Sequence, residues 1–248
     1  MAVTYERRGA ASVLAIDRPE RRNAVDRATA EALREGYRQF VDDAAARVLV
    51  VTGAGGVAFC AGADLKAMDS PAMAPEGPMG FTRLASPKPT IAAIDGWCVA
   101  GGLEIACWCD IRVAAEGSTL GCLERRWGVP LIDGGTQRLP RIVGLGRALD
   151  LILTGRTVDT AEALAMGLVN YVVPKGQALP AALELAEKVA AFPWECVLSD
   201  RQALYEGLGN PLADGIAAEA RIGRGVIEVA QRGAARFASG EGRHGKGT

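Results

Sequence analysis

Two short apolar runs constrain this chain more than any other feature. RVLVVTG (47–53) and PTIAAIDG (89–96) are unbroken by alternating polar residues. Runs of this kind suit strands covered on both faces, the condition of a parallel sheet flanked by helices. DIRVAAE (110–116) reads as a further strand, as do residues 3–8, 12–17 and VNYVV (169–173). Asp26 can cap a helix whose apolar face is Ala30, Leu33, Tyr37 and Phe40, near 3.6-residue spacing. GGLEIACWC (101–109) reads as a short helix and AALELAEKVAA (181–191) as an amphipathic one, and one longer helix is expected over 211–232. Asp159 and Glu162 form a capping-box pattern that opens a helix ending at Gly167. AMDSPAMAPEGPMG (67–80) reads as a loop, and the tail ASGEGRHGKGT is too polar to fold alone. Strands alternating with helices indicate an α/β fold.

Composition removes several functions. With 28 basic and 29 acidic side chains the net charge is −1, so neither nucleic acid nor an anionic membrane is an expected partner. No apolar run approaches the ~20 residues of a membrane span, and the N-terminus shows no apolar signal region, so a cytoplasmic protein is expected. The six cysteines form no C-x-x-C pair and read as small buried hydrophobes in a reducing compartment. The single histidine, His244, lies in the polar tail, which excludes a His-based triad, an HExxH zinc site and a His/Cys cluster. No metal is expected, and acid–base chemistry falls to a carboxylate, or to Tyr, Lys or Cys.

Against that background VAGGLEIACWCD (99–110) is odd. Glu104 stands two positions after a glycine pair, inside a run that ought to be buried. Carboxylates are almost never fully buried without a partner. A second glycine-rich stretch, VLVVTGAGGVA, fits G-x-G-x-x-A through Gly53, Gly55 and Ala58. A dinucleotide fingerprint requires a helix to start there, and FCAGADLK followed by a Pro-rich loop does not supply one. No nicotinamide or flavin cofactor is expected.

Three segments carry a stronger signal: AFCAGADLKAM (58–68), GWCVAGGLEIACWCD (96–110) and GCLERRWGVPLIDGGTQRLPRIVG (121–144). Together with RPERRNAVD (18–26) and LTGRTVDTAEALAMGLVNYVVP (153–174), they resemble the enoyl-CoA hydratase/isomerase family, the crotonases, from about residue 3 to 190 and more loosely beyond. The resemblance implies a spiral of strand-strand-helix turns over 1–190 and a C-terminal helical oligomerisation region over 191–248, with trimers often paired into hexamers. It implies an acyl-CoA thioester substrate, with coenzyme A present only as part of that substrate. The oxyanion-hole amides fall on Ala63 and Gly101, and the two catalytic glutamates on Glu104 and Glu124. Ala63, Asp64, Leu65 and Lys66 match the CoA-binding segment, and Ala24 and Ala61 match backbone contacts to the adenine end. By the same likeness, Phe237 and tail residues such as Lys246 are expected near a neighbour's CoA site.

These residue types suit the chemistry. Activating a thioester builds negative charge on its carbonyl oxygen, and two preorganised amides stabilise that charge. One of them would come from a helix N-terminus whose dipole has the right sign. Gly101 and Gly102 are expected to let backbone approach the ligand, and Glu104 then reaches the thioester from the first helical turn. Taken alone, Glu104 also fits an arginine-paired helix-dipole partner and Glu124 a surface residue beside Arg125 and Arg126. Arg21, Arg22 and Lys66 fit either a solvated face or neutralisation of CoA phosphates. Trp127, Leu131 and Ile132 fit core or acyl-pocket wall. RRWGVPLIDGGTQ departs from the usual hydratase pattern GLGLIPGAGGTQ in the place of its proline and in gaining Asp133, a third carboxylate close to where some isomerases of the family carry one. The expected activity is hydration of a 2-enoyl-CoA; double-bond isomerisation and an inactive acyl-CoA-binding protein are the alternatives.

Overall fold

The computed structural model describes residues 2–68 and 74–240. Ten strands occur among them: β1 (Val3–Arg8), β2 (Ala11–Ile16), β3 (Val48–Gly53), β4 (Ala58–Cys60), β5 (Thr90–Ile94), β6 (Trp97–Val99), β7 (Ile111–Ala115), β8 (Thr119–Gly121), β9 (Thr157–Val158) and β10 (Tyr171–Val173). They form a six-stranded sheet, β1-β2-β3-β5-β7-β10, and a four-stranded one, β4-β6-β8-β9. The larger sheet is parallel except for the β1–β2 pair, and the smaller except for β8–β9. From β3 onward the chain visits the large sheet and then the small one in each of three successive turns, β3–β4, β5–β6 and β7–β8. This is the expected spiral, and it brings the ends of the short strands together.

Burial explains the long strands. All five residues of β5 and the first five of β3 are buried, as two-sided coverage requires. At the antiparallel edge, β1 keeps Glu6, Arg7 and Arg8 exposed, which discourages pairing with another chain. The strands β4, β6, β8 and β9 were not foreseen; with two or three residues each, they are too short to show a period.

Helix α1 (Arg27–Asp42) is capped as anticipated, with Asp26 accepting from the Thr29 amide at 2.8 Å, and it buries Ala30, Leu33, Tyr37 and Phe40. Helix α2 (Gly101–Trp108) has no polar face, since all eight of its residues are buried. It ends in an aromatic cluster in which Trp108 meets Phe81 edge-on at 4.7 Å and Phe81 stacks on Tyr37 at 5.7 Å. Then follow α3 (Gly135–Val143), α4 (Leu145–Thr154), α5 (Thr160–Ala165) and α6 (Ala178–Ala191). Asp159 caps α5 through the Glu162 amide at 2.8 Å.

The chain divides into two compact units between Ala186 and Glu187, within α6. The second holds α7 (Trp194–Gly207), α8 (Leu212–Arg224) and α9 (Ile227–Ala238). The single helix expected over 211–232 is two helices, because the chain turns at Gly225–Val226. Neither α8 nor α9 buries a residue among those described. No helix of the described residues is long and apolar enough to cross a membrane.

Candidate active site

β4 and β6 run side by side, and the segments that leave them touch. A Cβ on Gly62 would lie 2.8 Å from both the Ala100 Cβ and the Gly101 nitrogen. Val25 donates to the Gly62 carbonyl and accepts from the Asp64 amide, so the Ala63 amide between them is left unused. The Gly101 amide opens α2 and, like that of Ala63, donates no hydrogen bond among the described residues. Two free amides, on residues 63 and 101, thus sit on abutting turns, with the positive end of a helix dipole behind one of them. Ala100 pays for this aim with φ 52° and ψ −129°, a conformation that costs a non-glycine residue about 1–3 kcal/mol.

Gly102 has a different reason from the one anticipated. Its absent Cβ would lie 2.1 Å from the Cys60 carbonyl oxygen. Close packing of α2 on β4 demands the glycine.

Glu104 lies one turn along α2, and its Oε1 accepts from the Asp133 amide at 2.9 Å and the Gly135 amide at 2.8 Å. Those amides, not an arginine, hold its carboxylate. A Cβ on Gly135 would lie 2.5 Å from the Leu131 side chain and 2.9 Å from the Glu104 carboxylate, so glycine there leaves room for both. Burial pushes the Glu104 carboxyl up to about 7; the Gly135 and Asp133 amides oppose the rise, and the Asp133 and Glu124 carboxylates add to it.

Glu124 lies in the first turn of a 3₁₀ helix (Leu123–Trp127) just after β8. It is a buried residue and not a surface one. Arg125 donates to the Val129 carbonyl and Arg126 to that of Gly155, so neither is hydrogen-bonded to it. Neither carboxylate oxygen of Glu124 has a hydrogen-bond partner among the described residues. Burial raises its pKa, and its own backbone amide, the Arg125 charge and the nearby Cys122 thiol only partly offset this.

The remaining candidates separate. Asp64 turns inward: its carboxylate takes Arg18 Nη2 at 3.0 Å, an atom also 3.0 Å from Asp26, leaving mainly backbone for a ligand. Leu65 and Lys66 are exposed, Ala24 is buried, and Ala61 donates to the Arg22 carbonyl at 3.1 Å. Arg21 is exposed, and Arg22 lies over the Trp97 ring. Leu131 is half-buried beside Gly135. Ile132 is half-buried, and its carbonyl accepts from Arg83. Trp127, at 72 % exposure, is not core. Asp133 is buried, with Oδ1 accepting from the Met79 amide at 3.0 Å and from the Thr82 hydroxyl. Phe237 is exposed on α9, while His244, Lys246 and part of the 67–80 loop lie outside the described residues.

Five buried cysteines have no disulfide, and burial raises the thiol of each, Cys60 to about 12 and Cys107 to about 11. No group of three or more His, Cys, Asp or Glu side chains is placed to hold a metal among the described residues. No helix follows Gly53, so the dinucleotide pattern lacks its context.

One organising residue was missed. Asn23 is fully buried in the left-handed region, φ 57°, donating to the Ala54 and Ala58 carbonyls at 3.0 and 2.6 Å and accepting from the Arg18 amide at 2.9 Å. It locks the 18–25 segment beside β4. The available signal was only that asparagine tolerates this conformation better than most residues.

The family model described as enoyl-CoA hydratase/isomerase matches residues 6–243. The sequence is 40% identical over 196 residues to enoyl-CoA hydratase EchA19 of Mycobacterium tuberculosis, covering 75% of this chain and 73% of that protein. It is 36% identical over 213 residues to the short-chain-enoyl-CoA hydratase of Clostridium acetobutylicum, covering 83% and 82%. The crystal structure of enoyl-CoA hydratase EchA1 from Mycobacterium marinum superposes with a TM-score of 0.89 at 35% identity, covering 96% of each chain.

Proposed function

The chain belongs to the enoyl-CoA hydratase/isomerase family, and from that premise we propose that it adds water reversibly across the 2,3 double bond of a 2-enoyl-CoA, giving a 3-hydroxyacyl-CoA. One observation carries the reading: two buried carboxylates with raised pKa values, held in unlike ways, in the unit that also carries two free amides on abutting turns. The Ala63 and Gly101 amides hold the thioester oxygen as it gains charge; such a donor is worth roughly 3–4 kcal/mol in the transition state. Glu104, fixed by two amides, positions the water and takes its proton. Glu124, with no partner to surrender, delivers a proton to C2 and removes it in the reverse reaction. The reaction neither oxidises nor reduces, and the amides supply the polarisation, so the protein works without metal or redox cofactor.

The Asp133 carboxylate already serves Met79 and Thr82. This weakens one of the two sequence features that favour an isomerase, Asp133; the other is the 67–80 loop, short for the family. Backbone of Ala24, Ala61, Ala63, Asp64 and Leu65 lines the proposed CoA track, and Arg21, Arg22 and Lys66 offer charge to its phosphates. We further propose a cytoplasmic homotrimer or homohexamer. Leu145, Leu149 and Leu153 form an exposed stripe on α4, and α8 and α9 bury no residue by themselves, which is surface suited to a second copy.

The test is turnover of a panel of 2-enoyl-CoA thioesters in ¹⁸O water. Label in a 3-hydroxyacyl product is expected. A shifted alkene without oxygen uptake would replace this reading by isomerisation, and tight thioester binding without turnover would replace it by a binding protein.

A further inference from the structure

Asp133 is buried, charged, and used at three of its atoms. Its amide donates to Glu104 Oε1 at 2.9 Å. Its Oδ1 accepts from the Met79 amide at 3.0 Å and from the Thr82 hydroxyl. Its carbonyl accepts from Arg138 Nη1 at 2.8 Å, while Nη2 of the same guanidinium donates to the Thr82 carbonyl at 2.6 Å. Arg83 closes the same seam from the other side, donating to the Ile132 carbonyl at 3.1 and 2.8 Å. The 131–135 segment and the 77–83 segment are therefore bonded at several points, and Asp133 is the residue that reaches both Glu104 and the second segment.

What the second segment carries gives this seam its meaning. A Cβ on Gly101 would lie 2.8 Å from the Met79 sulfur, so Met79 packs directly over the residue whose amide is free. Met79 is itself 2 % exposed, and its backbone is held by the Asp133 carboxylate. One residue thus ties the general base to the cover of the oxyanion amide.

We propose that Asp133 is a positioning residue of the hydration site, fixing Glu104 through its amide and the Met79 cover of Gly101 through its carboxylate. The inference rests on the hydratase reading for its kinetic consequence, but its geometry does not. Asp133 works through Glu104 and Met79 and makes no bond to substrate. Its negative charge also faces Glu104. The other titratable groups there are the Glu124 carboxylate and the Cys107 and Cys122 thiols, while Arg83 and Arg138 face Asp133 itself.

Three variants of the full chain test this: Asp133→Asn, Asp133→Ala and Thr82→Val. Asparagine keeps an acceptor oxygen for Met79 and Thr82 but removes the charge. Its kcat should stay within about threefold of wild type, while Glu104 titrates at lower pH and the acidic limb of the kcat/KM profile moves down with it. Alanine frees the Met79 amide and the Thr82 hydroxyl while the Arg83 and Arg138 bonds remain, and the resulting shift of Met79 over Gly101 should lower kcat roughly 10- to 100-fold with KM little changed. Thr82→Val should follow in the same direction with a smaller loss. Glu104 is also titrated by ¹³C NMR of the carboxyl carbons in wild type and Asp133→Asn, which needs neither substrate nor turnover. A wild-type protein that hydrates nothing would therefore defeat the hydratase reading, while the titration would still decide whether the Asp133 carboxylate faces Glu104 as the proposal requires. Unchanged kcat in the alanine variant, or an unmoved Glu104 titration in the asparagine variant, overturns the proposal. So does loss of activity in asparagine as deep as in alanine with unchanged melting, since that marks a carboxylate acting on substrate. Should alanine fail to fold, the other two variants and the titration decide.

Discussion

Glu104 and Glu124 are buried to the same degree, 4 % and 5 % exposed, yet the chain holds them by opposite means. Glu104 grows from a helix with no exposed residue and spends one oxygen on two backbone amides. Glu124 stands on a 3₁₀ turn whose Arg125, Arg126 and Trp127 are exposed, and neither of its oxygens has a partner among the described residues. An unpartnered buried carboxylate costs several kcal/mol unless it is protonated or meets another group. The first carboxylate is anchored in place and the second is not. Burial of charge alone says nothing of role; the way the charge is satisfied does.

Replacing each carboxylate by its amide breaks the comparison most sharply. Glutamine at 104 retains an oxygen for the Asp133 and Gly135 amides, and glutamine at 124 loses no hydrogen-bond partner. Both variants should fold. Each should lower the hydration rate at least ~100-fold with thioester affinity largely kept. Because the two act on one water addition, the double variant should be little worse than the poorer single. Steady-state kinetics on one good enoyl-CoA decides. A Glu104→Gln variant with wild-type kcat would reduce the anchored glutamate to a structural group.

The next effect falls on the support of Glu104. Gly102→Ala drives a methyl group into the Cys60 carbonyl oxygen, a backbone atom with little freedom to yield. Overpacking of this kind costs typically ~1–3 kcal/mol, or a fall of about 3–10 °C in melting temperature for a chain of this size. Gly101→Ala meets the end of the flexible Met79 side chain and should cost less. Thermal melts of the two variants compare them directly; equal losses would mean that α2 is not seated on β4 as tightly as the distances require.

Much of this was legible in the chain. The runs that became β3 and β5, the Asp26 cap and the apolar face of α1 are local patterns, and local patterns survive folding. The resemblance located Ala63, Gly101, Glu104 and Glu124 by motif, and the structure brings the first two of these together. What stayed hidden depends on contacts between distant segments. Nothing in PLIDGG reveals that the Asp133 carboxylate meets Met79 and Thr82, more than 50 positions away. The left-handed Asn23 and the pairing of β4 with β6 are hidden for the same reason. Of the two readings open for Trp127, core and acyl-pocket wall, its exposure removes the first, and no local pattern in the chain foretells that exposure.

A smaller effect separates the two glutamates through pH. The Glu104 carboxyl is raised from an ordinary 4.5 to about 7 in the fold. A raised carboxyl contributes stability that is fully present below its unfolded pKa and lost as pH rises through the folded one. Between about pH 4 and pH 8 the wild-type protein should therefore lose on the order of 1–3 kcal/mol through this group. Glu104→Gln should be more stable than wild type at about pH 8 and equal to it at about pH 4. Glu124 is raised by burial as well, so Glu124→Gln should show the same sign. Urea unfolding at the two pH values measures both. A Glu104→Gln variant less stable at high pH would show that the Asp133 and Gly135 amides reward the charge by more than burial penalises it.

The smallest effect belongs to Trp127, and it tests whether the Glu124 turn is complete within one copy of the chain. Its side chain is 72 % exposed, one turn from a carboxylate that is almost wholly buried. A tryptophan left in water contributes little to folding, and exposed substitutions usually stay within about 0.5 kcal/mol. For the isolated chain, Trp127→Ala should then leave the melting temperature within about 2 °C of wild type. The anchored helix α2 has no equivalent exposed residue, so this insensitivity is particular to the Glu124 side of the site. The proposed oligomer supplies the contrary outcome. If a second copy covers Trp127, the variant should melt lower, dissociate at higher protein concentration in sedimentation, and lose activity on dilution before wild type does. Melting and sedimentation across about a hundredfold range of concentration distinguish the two. A concentration-independent loss of several degrees would fit neither account, and would mean that the ring packs on its own chain after all.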